Sequence, residues 1–109
     1  MLRELVAAGI RVIAGSDAGA TGVHFTSLLG EIELLAEAFN SVPLAIAAGT
    51  SESADCLGIT DAGRIRQGAS ADLLAVVGNP ENDLTALRRP ALVVSRGRIV
   101  RQIIRQEPI

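Results

Sequence analysis

The run Ile10 Arg11 Val12 Ile13 Ala14 opens into Gly15 Ser16 Asp17 Ala18 Gly19 Ala20 Thr21 Gly22, so a short β-branched stretch ends in a glycine-rich loop that carries a carboxylate. Leu2, Leu5 and Val6 recur at helical spacing ahead of Gly9, a natural C-terminal cap, and a second helical pattern follows the loop. Helix, strand, loop and helix make one step of an α/β unit. A carboxylate just past the C-terminal end of such a strand occupies the edge where parallel α/β proteins place their chemistry. The chain gives Asp17 few companions, because it has one histidine, His24, one cysteine, Cys56, and no lysine.

At 109 residues the chain has the length of one ordinary domain. Its apolar fraction of 49 percent, before its 11 glycines are added, is high for that size. Apolar stretches such as Val42–Gly49 fall well short of the roughly 18–20 residues a membrane span needs, so no transmembrane helix is predicted. Glu4 and Arg11 interrupt the start of the chain where a secretory signal would be uniformly apolar. A net charge of −2 and only two aromatic residues, Phe25 and Phe39, exclude an electrostatic footprint or stacking platform for nucleic acid. The lone Cys56 cannot form an internal disulfide and, among Ala54, Leu57 and Ile59, reads as a small buried hydrophobe. A reducing, cytoplasmic compartment is expected.

Two textures follow one another along the chain. Phe25, Leu28, Leu29, Ile32, Leu35, Ala36 and Phe39 recur at intervals of three and four, which predicts a helix over 26–39. Ser41 and Pro43 predict a short helix through Ala48, Gly49 a break, and Thr50 the cap of a further helix ending at Gly58. From Thr60 onward, turn signals separate short apolar runs, predicting strands at 73–77, 92–95 and 99–104, the last two joined as a hairpin across Arg96 and Gly97. Asp83–Leu87 reads as a single helical turn.

Taken locally, the site-like features have plain alternatives. Gly15–Gly22 lacks the lysine of a phosphate-binding loop and the spacing of a dinucleotide fingerprint. An Asp-x-Gly is commonly a turn, and a lone histidine is commonly structural.

The order of motifs over the whole chain says more. Gly15 Ser16 Asp17 Ala18 Gly19, His24, the helix with Glu31 and Glu33, Ala48 Gly49 Thr50, Leu57 Gly58 Ile59, Gly68, Ala71 Asp72 Leu73, Asn79 Pro80 and the Val94–Val100 hairpin follow in succession. This succession resembles the C-terminal part of the metal-dependent amidohydrolase superfamily, in its imidazolonepropionase-like and prolidase-like branch. The resemblance implies an α/β fold that is the C-terminal fragment of a (β/α)8 barrel, its last strand and helices occupying 1–59, followed over 60–109 by part of a small β-sandwich. Gly68, Ala71 and Asp72 match the family's Gly-x-x-Ala-Asp turn, while Ala48 Gly49 Thr50 stands where relatives carry Ala-Ala-Thr.

By the same resemblance, Asp17 matches the aspartate after the eighth strand, a ligand of a divalent metal, most often zinc, that also moves the catalytic proton. His24 falls where relatives often place a histidine in the following loop, near the substrate pocket. The parent activity is hydrolysis of C–N bonds in a cyclic amide or peptide-like substrate. The remaining family ligands, a His-x-His pair among them, would lie before Met1, so the isolated chain is expected to be inactive and to hold metal weakly. Its expected partners are an N-terminal barrel portion, in the same or a separate chain, and a small-molecule amide substrate. Self-association through open edges is also expected. The competing expectation is a non-enzymatic interaction or regulatory module derived from such an enzyme.

Overall fold

A computed structural model of the chain describes residues 1–103, the side chain of Phe25 excepted. It is an α/β arrangement with helices first and a sheet after them. The helices are α1 (Leu2–Ala7), α2 (Leu28–Phe39), α3 (Val42–Ala48) and α4 (Ser51–Cys56). The strands β1 (Leu73–Val76), β2 (Pro90–Ser95) and β3 (Arg98–Gln102) form an antiparallel sheet in that order, and 3-10 turns occupy Phe25–Ser27 and Leu84–Arg88.

The helical layer follows the sequence logic closely. Asn40 ends α2 in the left-handed region at φ 51°, and the Ser41 side chain accepts from the Leu44 amide at 3.3 Å, with Pro43 in the first turn of α3. Ile32 and Leu35 of α2 pack on Ala45 and Ala48 of α3, and Val12, Ala14, Phe39, Leu84 and Leu87 close over them. Gly49 leaves room for Ile32, whose Cδ1 would lie 3.2 Å from a Cβ at that position.

Several expectations need correction. Residues 10–14 are extended but pair with no strand among the described residues, so they are not a β-strand here. The strand periodicity nonetheless survives as alternating burial: Val12, Ala14 and Ser16 are half-buried, while Arg11, Ile13 and Gly15 are exposed. Thr50 does not cap α4 through its side chain, because its hydroxyl donates to the Ile46 carbonyl at 2.8 Å. Helix α4 stops at Cys56, ahead of Gly58 at φ 71°. Cys56 itself is exposed, since α4 turns that position away from Ala54, the buried residue of the helix. The last strand ends at Gln102, and Ile104 lies outside the described residues.

The sheet carries the hairpin expected at Arg96 and Gly97, both with positive φ (48° and 77°), the backbone a tight two-residue turn requires. That turn is tied back to the residues before β1. The Asp72 carboxylate accepts from the Arg96 amide at 2.9 Å and from the Ser70 hydroxyl at 2.7 Å, and the Gly97 amide donates to the Ala71 carbonyl at 3.0 Å. The Ala71-Asp72 dipeptide is therefore the clasp that fixes the hairpin. The hydrogen bond from Ser70 leads, and that from Arg96 follows, in holding the Asp72 carboxyl below its ordinary pKa.

The helical layer and the sheet are joined by the turn at Leu84–Arg88 and by Arg88, whose guanidinium donates to Glu33 of α2 at 3.0 Å. Between α4 and β1, Gly63 sits at φ 77°, where an added Cβ would come within 2.7 Å of the Thr50 carbonyl oxygen. The radius of gyration is 15.2 Å, against about 13 Å for a closed domain of this length. Among the described residues, the buried apolar ones apart from Ile32 and Leu35 are alanines.

Two outcomes follow from this packing. Gly9 has φ 76° and open space around it, so Gly9→Ala should cost only the left-handed backbone penalty of about 1–2 kcal/mol. Gly63→Ala should cost about 1–3 kcal/mol more, because it adds overpacking against α4; equal shifts in urea midpoint would contradict the close approach. Because the folded pKa of Asp72 is depressed, its ionised form stabilises above the ordinary carboxylate pKa, and that contribution disappears as pH falls through the lowered value. Urea unfolding of wild type and Asp72→Asn should show a stability gap at pH 7 that closes in acid; a gap independent of pH would contradict the clasp.

Candidate functional site

Asp17 lies where the extended segment ends. It is exposed and adopts φ 51°, a left-handed turn that Asp tolerates better than most residues. Its carbonyl accepts from the Ala20 amide at 3.1 Å, the Ser16 hydroxyl accepts from the Ala18 amide at 3.3 Å, and the Ala20 carbonyl accepts from Val23 at 3.0 Å. Gly19 and Gly22, at φ 100° and 79°, let these successive turns fold in so few residues. The loop is ordered by its own backbone, leaving the Asp17 carboxylate without a hydrogen bond or ion pair among the described residues.

His24 is exposed at the end of the same loop, in extended backbone at φ −91°, ψ 152°. Its carbonyl accepts from Ser27 at 3.0 Å and so opens the 3-10 turn that leads into α2. No side-chain hydrogen bond joins His24 to Asp17 among the described residues. The two are brought to one loop, but no contact fixes them to each other.

The extended segment is attached to the helices behind it. The Ala14 amide donates to the Ala48 carbonyl at 2.9 Å, and Arg11 forms an ion pair with Glu52 of α4 at 2.7 Å. The hydrogen bond to Glu52 is the main cause of a raised Arg11 pKa. In the sequence Arg11 shows only as a charge inside an otherwise apolar run, and nothing local connects it to Glu52.

Elsewhere, an open cleft of about 510 Å³ between α2 and the Leu84–Arg88 turn is lined by Glu33, Glu37, Asn40 and Asp83. Glu33 is already paired with Arg88, and Asp83 accepts from both the amide and the hydroxyl of Thr85, which lowers its pKa. Neither Asp17 nor His24 lines this cleft.

Residues 1–100 match the model of the amidohydrolase family. The chain belongs to the amidohydrolase family. Among solved structures, this amidohydrolase chain is similar to a prolidase-like protein from Bifidobacterium longum, with 38% identity and a TM-score of 0.82 over 91% of this chain and 25% of that one. It is also similar to a Xaa-Pro dipeptidase with methionine bound in its active site, with 32% identity and a TM-score of 0.79 over 90% of this chain and 24% of that one. A prolidase complexed with N-methylphosphonate-L-proline matches at 27% identity and a TM-score of 0.79, over 94% of this chain and 26% of that one. No curated protein matches the chain. The amidohydrolase chain thus sits in the prolidase-like branch and spans about a quarter of the length of these structures.

Amidohydrolases generally depend on divalent metal ions. Among the described residues of this chain, no three His, Cys, Asp or Glu side chains stand close enough to hold one. A catalytic zinc site takes about three protein ligands, so the residues present do not by themselves fit a metal centre. Also among the described residues, no helix is long and apolar enough to cross a membrane.

Calorimetric titration of the 109-residue chain with Zn²⁺ or Mn²⁺ should therefore show no stoichiometric site of micromolar affinity. Cys56→Ser should be included as a control for thiol binding. One equivalent of metal held tightly, and released by Asp17→Asn, would contradict this assignment.

Proposed function

We propose that the chain is the C-terminal portion of a metal-dependent amidohydrolase that hydrolyses C–N bonds, and that Asp17 is the carboxylate it brings to the active site. In this reading residues 10–16 are the eighth strand of a (β/α)8 barrel, the helices through residue 59 follow it, and residues 60–109 add strands to a small β-sandwich. The observation that carries the reading is the two-sided character of the extended segment. Val12 and Ala14 pack on the helices, the opposite face is uncovered, and Asp17 stands at the C-terminal end. A barrel strand has helices on one side, interior on the other, and catalytic groups at that end.

The bond cleaved is taken to be a peptide-like amide, and a dipeptide ending in proline is the favoured substrate. The Xaa-Pro dipeptidase and the proline-phosphonate complex among the similar structures support that choice. Asp17 is assigned to metal ligation and proton transfer, His24 to the rim of the substrate pocket, and zinc is the favoured ion. The other ligands are assigned to the N-terminal barrel portion, in the same chain or a second one, in the cytoplasm. A second reading, an interaction module without catalysis, draws on exposed apolar side chains such as Ile65, 91% exposed, and Leu57, 68% exposed.

The two readings separate in a chimera in which this chain replaces the corresponding quarter of the Bifidobacterium longum protein. The chimera should hydrolyse Xaa-Pro dipeptides, and Asp17→Asn should reduce kcat by about 10²–10⁴-fold at an unchanged melting temperature. A folded chimera indifferent to Asp17→Asn would remove Asp17 from the chemistry and favour the module.

A further inference from the structure

A strand in a sheet takes its register from its neighbours, but the Asp17 segment has no neighbouring strand among the described residues. Something else must set how far the segment runs along the helices before it turns at Asp17. The Ile10 amide ties the start of the segment to the Leu5 carbonyl of α1, which precedes it directly, and the Ala14 amide gives one fixed point against the helices that follow, at the Ala48 carbonyl. Apolar packing of Val12 and Ala14 discriminates little, since a two-residue slide one way would put Ile10 and Val12 in their places, and only a slide the other way would bring the polar Ser16 to the position of Ala14.

The side chain whose partner is lost on a slide in either direction is Arg11. Its Nη2 lies 2.7 Å from Oε2 of Glu52, and a two-residue slide would bring Ile13 or Gly9 to that carboxylate instead. The same slide would carry Asp17 about 7 Å along the strand axis. Helix α4, which presents Glu52, is itself anchored. Arg64 donates to Asp55 at 2.6 Å and to the Ser51 carbonyl at 3.2 Å, and the Ser53 hydroxyl donates to Ala48, the carbonyl that also holds Ala14. Arg11, Ala14, Ala48, Ser53 and Glu52 thus close a ring that includes both the segment and α4.

We propose that the Arg11–Glu52 ion pair is the register mark of the Asp17 segment, making Arg11 and Glu52 positioning residues for Asp17. The consequence for catalysis rests on the amidohydrolase function proposed above; the consequence for the segment does not. The pair is solvent-exposed, with side-chain exposures of 60% and 46%, so it adds little to overall stability. Its effect is local.

The test uses charge reversal in the full 109-residue chain, read by amide exchange. Arg11→Glu and Glu52→Arg should each lower protection of the Ala14 amide about 5-fold, with the Val93 amide of β2 and the melting temperature unchanged. The double reversal should bring Ala14 back to within about 2-fold of wild type, and Arg11→Lys should retain most of the protection. In the chimera, each single reversal should lower kcat about 10-fold with KM within 2-fold, and the double should recover it. Unchanged Ala14 protection in the single variants, loss without recovery in the double, or an equal loss at Val93 would overturn the proposal. A chimera inactive with the native pair would overturn the functional reading instead, and Ala14 exchange would still decide the register claim.

Discussion

The structure depends on the contact between an extended backbone and a surface of alanines. Ala45 and Ala48 are almost completely covered, and their small side chains let the 10–16 segment approach closely enough for the Ala14 amide to reach the Ala48 carbonyl. Larger residues there would hold the segment off and remove its backbone bond to α3. Ile32 and Leu35 fill the space on the other side, and Gly49 gives Ile32 its room. The arrangement covers one face of the segment and leaves the other bare. This accounts for a chain that is rich in apolar residues yet buries few large ones.

The sheet is joined to this layer by specific contacts rather than by a broad core. Leu84 and Leu87 reach the helical cluster, Arg88 reaches Glu33, and Gly63 lets the linking chain pass against α4. Within the sheet, Asp72 spends both carboxylate oxygens on fixing the hairpin and the turn before β1. The Gly-x-x-Ala-Asp motif, which in the sequence looks like one more turn, is explained by that clasp. Its aspartate is structural, whereas Asp17, in an equally glycine-rich setting, has its carboxylate uncommitted among the described residues.

Much of this was legible in the sequence because the signals were local. The apolar periodicity of α2, the Ser41–Pro43 start of α3 and the Arg96-Gly97 turn each depend on a few adjacent residues, and each formed where expected. The segment at 10–14 kept its alternation but not its pairing, because pairing is a property of two chains of residues and the alternation of one. Cys56 is exposed for a related reason: its apolar sequence neighbours do not surround it once α4 sets the direction of each side chain. The Arg11–Glu52 pair spans forty-one positions, a separation no local pattern reports. Asp17 stands out as a candidate only through the order of motifs across the whole chain, whereas its immediate sequence reads as an ordinary turn.

The amidohydrolase assignment therefore comes from the whole chain, and the site proposed at Asp17 rests on one face of one segment. The most direct test is a crystal structure of the chimera grown with Mn²⁺ and measured for anomalous scattering. The account predicts an anomalous peak within coordination distance of an Asp17 carboxylate oxygen, about 2.0–2.2 Å, with residues 10–16 paired between two strands. A peak that leaves Asp17 outside the coordination sphere, or a segment that remains unpaired in the complete barrel, would contradict it.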